Sequence, residues 1–216
     1  MRTRTVVVGS GGHGREVLDV VEACNAVGGS PAYELMGVLD DSPSEPNLAL
    51  LRDRGVKFLG SVDEWLAGAE FDVEYLIGIG SEAARRSVDA RLSAAGLQAG
   101  VAVHPASVRG YGVELAPGCV VLAGAVLATN ISLGRHTHLH RCATVGHDCV
   151  IGDFVTINPS ATVSGDCVVE DDVMIGAGAV ILQGLTVHRG AAVGGQACVV
   201  QDVPAGVTAK GVPAHR

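Results

Sequence analysis

Aromatic side chains are scarce: Phe, Trp and Tyr make up 3% of the 216 residues. That excludes a core built on large rings, so Val, Ile, Leu, Ala and Gly must fill the interior, which favours many short, tight, repeated elements. Charge is thin as well, at 18% against 48% hydrophobic residues, and this excludes a disordered chain. Clusters of basic residues are missing. With a net charge of -8 and scattered Lys and Arg, no positive groove for nucleic acid is expected. No CxxC pair occurs among Cys24, Cys119, Cys142, Cys149, Cys167 and Cys198, and in a cytoplasmic chain these are expected as reduced thiols. Long apolar runs are also absent. The stretch 119–128 falls short of the roughly 20 residues that a membrane helix needs. The opening MRTRTVVVGSGG carries an apolar run too short for a signal peptide. A soluble, cytoplasmic protein without membrane or nucleic-acid partners is expected. Glycine is plentiful at 30 residues, yet it keeps no three-residue period, which excludes collagen.

What is present divides near residue 100. Residues 1–100 alternate strand and helix patterns. Thr5–Val8 is a β-branched run, and Arg15–Cys24 carries Val17, Val20, Val21 and Cys24 at helical spacing. Leu35–Leu39 reads as a second strand, Val56–Leu59 as a third and Val73–Ile79 as a fourth, followed by a helix over Ser81–Ala95. Strand, helix, strand in this order argues for a Rossmann-like parallel sheet, about half the length of a full dinucleotide-binding domain.

Residues 101–216 follow another rule. Every sixth residue from Leu115 through Val145 and Ile175 to Val199 is aliphatic, without an insertion. The position four further on, from Cys119 to Val203, is mostly small and apolar. No helix has a period of six and an ordinary strand has a period of two, so a fixed short period means a stacked solenoid. The pattern is that of the hexapeptide repeats of the left-handed parallel β-helix. Six residues make one side, three sides make a turn, and residues eighteen apart stack. About five turns are expected, with Val103–Val108 as a lead-in and Arg109–Glu114 as a loop or distorted first turn. Cys119, Cys149 and Cys167 fall at the inward small position as apolar fillers.

The chemistry-bearing residues follow from this register. His136, His138, His140, His147 and His188 occupy outward positions. His147 differs by its neighbour Asp148 at a corner, where consecutive side chains can fold back on each other. A carboxylate on one ring nitrogen fixes the tautomer and raises basicity at the other. Gly165 stands one turn away, where a backbone N–H could meet a small oxyanion. The bland reading is an exposed His-Asp pair on a turn.

In the first half, Gly9, Gly11 and Gly14 fit GxGxxG between a strand and a helix, an arrangement that offers N–H groups to a diphosphate. A nucleotide-sugar diphosphate satisfies it. So does NAD, for which the other half supplies no redox partner, and so does a plain tight turn.

Most of the chain resembles the sugar O- and N-acyltransferases of the sialic acid O-acetyltransferase type and the bacterial nucleotide-sugar N-acetyltransferases. The resemblance rests on Val8-Gly9-Ser10-Gly11-Gly12-His13-Gly14, Leu39-Asp40-Asp41, Gly78-Ile79-Gly80, His104-Pro105, Gly146-His147-Asp148-Cys149 and Gly211-Val212-Pro213-Ala214. It implies an acetyl-CoA-dependent acyltransferase in which His147 is the general base, Asp148 its support and the Gly165 N–H the oxyanion donor, without a covalent intermediate. It implies an acceptor pocket at Gly9, Gly11, Gly12, His13, Gly14, Asp40, Asp41 and Gly80. Coenzyme A is expected along Thr156, Ala177 and Gly195, with Lys210 near a phosphate. No metal is expected. Because a prism is convex on every side, the site needs a second wall, and the resemblance implies a homotrimer with His136, His138 and His140 near its seam. Two rivals remain. A γ-type carbonic anhydrase needs three ligands, two of them typically five residues apart, and no histidine pair here has that separation. A non-catalytic sugar-nucleotide-binding protein would share every feature except turnover.

Overall fold

The computed structural model describes residues 3–27, 32–68 and 72–215. It divides into two units, Met1–Pro105 and Ala106–Arg216, so the boundary expected at residue 100 falls a little inside the first.

The first unit is built on four parallel strands: β1 Thr3–Val8, β2 Tyr33–Leu39, β3 Glu74–Ile77 and β4 Gln98–Ala99, in the order β2-β1-β3-β4. α1 (Gly12–Ala26) connects β1 to β2, and α4 (Glu82–Ala94) connects β3 to β4. Val6, Val8, Leu39, Tyr75, Ile77, Val88 and Leu92 form one buried cluster, the near-continuous apolar strands expected of a parallel sheet covered by helices. The chain leaves β1 on one side and enters β3 on the other. The crevice beyond their carboxyl ends is therefore a topological switch point, where open α/β sheets bind ligands.

The expected strand at Val56–Leu59 is not one. Its pairing shrinks to a single bridge, Val38 with Phe58, flanked by hydrogen bonds from Val38 N to Lys57 O and from Leu59 N to Val38 O. Two short helices, α2 (Glu45–Asp53) and α3 (Val62–Leu66), accompany it. Each is announced by its cap. Ser44 accepts from Asn47 N with Pro46 in the first turn, and Ser61 with Glu64 forms a capping box.

The second unit is a parallel β-solenoid of about six turns. Within it, strands of two or three residues stack into sheets of five, six and six. The register repeats every eighteen residues, as in Thr144 opposite Thr162 and Val150 opposite Val168. Each hexad aliphatic from Val121 to Val199 is buried, and Cys119, Cys149, Cys167 and the alanines between them fill the remaining interior. All six cysteines are free.

Arg109–Glu114 does not interrupt the coil. Val108–Arg109 already pairs with Val126–Leu127, and Val113–Leu115 with Ile131–Leu133. The hexad pattern lapses there because glycine is required. A Cβ on Gly110 would lie 2.1 Å from Ala128 O, and Gly112 turns the corner at φ +66°.

Candidate active site

His147 stands at a corner of the coil, between the strand Thr144–Val145 and the strand Val150–Ile151 of the next sheet. Asp148 adopts φ +58°, and this left-handed turn folds its side chain back toward its neighbour. Nδ1 of His147 lies 2.7 Å from Oδ2 of Asp148. The pair is open to solvent, with side-chain exposures of 56% and 47%. The hydrogen bond to Asp148 raises the His147 pKa above its ordinary value, and the charge of Asp166 adds to the effect. The Asp148 carboxyl is lowered, chiefly by a bond from Asn130 Nδ2 at 3.0 Å and then by His147. With Nδ1 committed to the carboxylate, Nε2 is the nitrogen left for chemistry.

Gly165 lies beneath this ring. A Cβ placed on it would come within 2.5 Å of Nε2. The residue is buried under the imidazole, although its N–H donates to no acceptor among the described residues. Glycine is needed here as the seat of the ring.

Asp166 completes the surroundings. Ligand atoms of His147, Asp148 and Asp166 lie within 4.8 Å of one another. Such a set could hold a cation, but Asp148 is already committed to His147 and Asn130.

The expected coenzyme residues are not all alike. Ala177 and Gly195 are exposed, stack one turn apart at another corner, and leave their N–H groups unbonded among the described residues. Lys210 is exposed, with its Cβ 3.1 Å from where a Cβ on Gly194 would sit. Thr156 departs from the expectation: at 3% exposure it offers no open surface. On the remaining corner the chain closes its own donors, because Asp153 accepts from Arg135 N, Asp171 from Asp153 N and Glu170 from Arg189 N.

His136, His138 and His140 are likewise corrected. They are outward in register but buried within the single chain. The His136 ring stacks on Phe154 and covers Gly118, where a Cβ would lie 2.3 Å from Nδ1. His188 remains exposed and meets Glu170 at 3.0 Å.

In the first unit, the glycines of the β1–α1 loop divide into two kinds. Gly9 and Gly14 are packing residues. A Cβ on Gly14 would lie 1.8 Å from Gly9 O, and one on Gly9 would lie 2.6 Å from Gly78 O. Gly11, Gly12 and Gly80 face open space, and none has a left-handed φ. The Gly11 N-cap gives α1 no side-chain cap, and no acidic residue sits in its first turn, whereas serines cap the other three helices. His13 contacts Glu16 at 3.2 Å.

The two aspartates have structural work. Asp40 accepts from Ser10 N, Ser10 Oγ and Ser42 N, tying the end of β2 to the glycine loop. Asp41 holds Val62 N and the Arg91 guanidinium, which keeps its carboxyl below the usual range. A residue the sequence did not flag, Arg85, is fully buried and donates to the carbonyls of Ile79 and Gly80, shaping the loop after β3. These two carbonyls are backbone atoms, which no side-chain pattern announces.

Comparison with known proteins agrees with this layout. Residues 4–92 match the PglD N-terminal domain, and residues 148–183 match the bacterial transferase hexapeptide (six repeats). PerB from Caulobacter crescentus, solved with CoA and GDP-perosamine, superposes with a TM-score of 0.87 at 26% identity, covering 98% of this chain and 95% of that one. The chain belongs to the hexapeptide-repeat sugar acyltransferases. Within this family, WeeI from Acinetobacter baumannii AYE superposes at 0.84 with 29% identity over 99% of both chains. A GDP-perosamine N-acetyltransferase of Escherichia coli O157:H7 is 32% identical over 153 residues, 71% of this chain and 66% of that protein's length.

Proposed function

We propose that the protein transfers the acetyl group of acetyl-CoA to the amino group of a nucleotide-linked amino sugar. The observation that carries this is the His147–Asp148 dyad seated on Gly165, in a chain alike over nearly its whole length to an enzyme solved with CoA and GDP-perosamine. In this reading the acceptor nitrogen attacks the thioester carbonyl and Nε2 of His147 takes its proton. The tetrahedral intermediate then collapses, and the thiolate of coenzyme A leaves and is protonated. Asp148 keeps Nδ1 protonated, so Nε2 is the basic nitrogen, and it stabilises the imidazolium that forms. The unbonded Gly165 N–H is a donor for the oxyanion.

The N-terminal unit serves as the acceptor domain. Gly11, Gly12 and Gly80 have no packing or backbone reason to be glycine, which fits close approach of a ligand to the main chain. The uncapped N-terminus of α1 suits a diphosphate. The free N–H groups of Ala177 and Gly195 suit the amide-rich arm of coenzyme A, with Lys210 beside them for a phosphate.

A homotrimer supplies the second wall of the site. The sheets on either side of the His147 corner carry outward Val126, Val150 and Val168, exposed by 37%, 52% and 39%, an apolar surface suited to a second copy of the chain. Free cysteines throughout fit a cytoplasmic setting, and among the described residues no helix is long and apolar enough to cross a membrane.

Release of the coenzyme A thiol, followed with acetyl-CoA and GDP-perosamine and then with other nucleotide-linked amino sugars, tests the reading. Turnover that disappears in His147→Ala is expected. A protein that binds these sugars but never releases thiol is a sensor, and the enzymatic reading falls.

A further inference from the structure

We propose that Asn130 is a positioning residue for this reaction, setting the Asp148 carboxylate that in turn orients His147. The proposal rests on the acyltransferase reading above. It starts from the column of residues that turn the His147 corner: Gly112, Asn130, Asp148, Asp166 and Gly184, with φ of +66°, +55°, +58°, +58° and +69°. Glycine at both ends shows that the left-handed turn itself needs no side chain. Polar side chains occur only on the three rungs around the imidazole.

Backbone bonds fix the rungs. Asn130 N donates to Tyr111 O at 2.8 Å, and Asp148 N to Thr129 O at 3.0 Å. Asn130 Nδ2 then reaches Asp148 Oδ1 at 3.0 Å, leaving Oδ2 for His147 Nδ1 at 2.7 Å. An amide can face an ionised carboxylate only through its NH2, so the contact has one polarity. On the far side of Asp148 stands Asp166, a like charge. Without the Asn130 donor, Asp148 has repulsion on one side and water on the other. Its carboxylate then keeps only the His147 contact and the turn itself to hold the rotamer.

Two variants separate positioning from structure. Asn130→Gly keeps the left-handed backbone and removes the amide. Asn130→Asp keeps the shape, tolerates the same φ and replaces the donor with an acceptor. Both are expected to lower kcat by about 10–100-fold, the range a misplacement of about 1 Å produces, with an unchanged Tm and little change in KM for acetyl-CoA. NMR titration of His147 in the full chain without substrates supplies a readout independent of turnover. The charged groups facing the ring are Asp148 and Asp166. Asn130→Asp adds a third negative charge and raises the ring's titration midpoint, whereas Asn130→Gly frees Asp148 and lowers it. Wild-type kcat in either variant, or an unmoved His147 titration in both, overturns the proposal. A loss of Tm with kcat intact shows a structural residue and also overturns it. Wild-type protein that acetylates no amino sugar sinks the functional reading instead, while the titration still decides the role of Asn130.

Discussion

Gly165→Ala is the sharpest test of the corner. The added methyl would stand 2.5 Å from Nε2, 2.6 Å from Cε1 and 2.9 Å from Cδ2 of His147. Ordinary carbon contacts lie at about 3.5–4.0 Å, so the ring must retreat by about 1 Å. The His147 ring is more than half exposed and can swing outward, so the fold gives it an escape. The φ of Gly165 lies outside the left-handed region, so alanine adds no backbone strain. Replacing glycine at a permissive position even stabilises by about 0.4–1 kcal/mol through the unfolded chain. Stability is therefore expected to hold or rise while catalysis falls. A displacement of about 1 Å costs up to about 10²-fold in rate, and the stretched Nδ1 contact to Asp148 compounds it. Thiol-release kinetics beside a thermal melt read both quantities. A variant that melts like the parent and turns over at the parent rate would refute the claim that Gly165 seats the catalytic ring.

The remaining predictions concern charge, loop and assembly. Because His147 must be neutral to accept a proton, the acidic limb of kcat/KM follows its pKa, which Asp148 holds above about 6.5. Asp148→Asn is expected to move that limb to lower pH and to depress the plateau, as a pH-rate profile will show. Gly14→Ala drives a methyl to 1.8 Å from Gly9 O and is expected to unfold the first unit in a thermal melt. Gly11→Ala meets nothing within 4 Å, so it should melt normally and lose nucleotide-sugar affinity by calorimetry. Val150→Arg places a charge on the apolar sheet beside the corner and is expected to shift light-scattering mass from that of the proposed trimer to that of a monomer, with activity falling in parallel.

The solenoid was legible because its period is a direct image of its geometry. Inward aliphatics such as Ile151, Val169 and Val187 recur at the spacing that stacks them. The dyad was legible for the same reason, since register placed His147 at a corner and Gly165 one rung away. Three kinds of fact were not. Burial of His136, His138 and Thr156 depends on tertiary neighbours, about which an outward register position is silent. The end of the coil was misjudged because Gly110 and Gly112 replace the usual hexad residues for backbone reasons. The strand at Val56–Leu59 failed because a short stretch at a sheet edge, with Val56 as its one β-branched residue and Lys57 inside it, can settle for one bridge. Asn130 carried a usable signal, lying one period before Asp148, but only a reading by columns rather than by motif would have found it.

The columns also show how a convex coil can carry its share of the proposed site. Each corner repeats every eighteen residues, and the N–H of its first residue lies outside the sheet ladder. Where Asp153, Asp171 and Glu170 stand, those donors are closed by the chain's own carboxylates and the corner is inert. Where Ala177 and Gly195 stand, they are bare and available to an amide-bearing ligand. At the third corner, the same turn geometry that makes Asp148 left-handed also folds it onto His147, and the glycine one rung on leaves room for the ring. On the proposed reading, one backbone plan thus yields a closed edge, a binding edge and a reacting edge, and the difference between them is one or two side chains per rung.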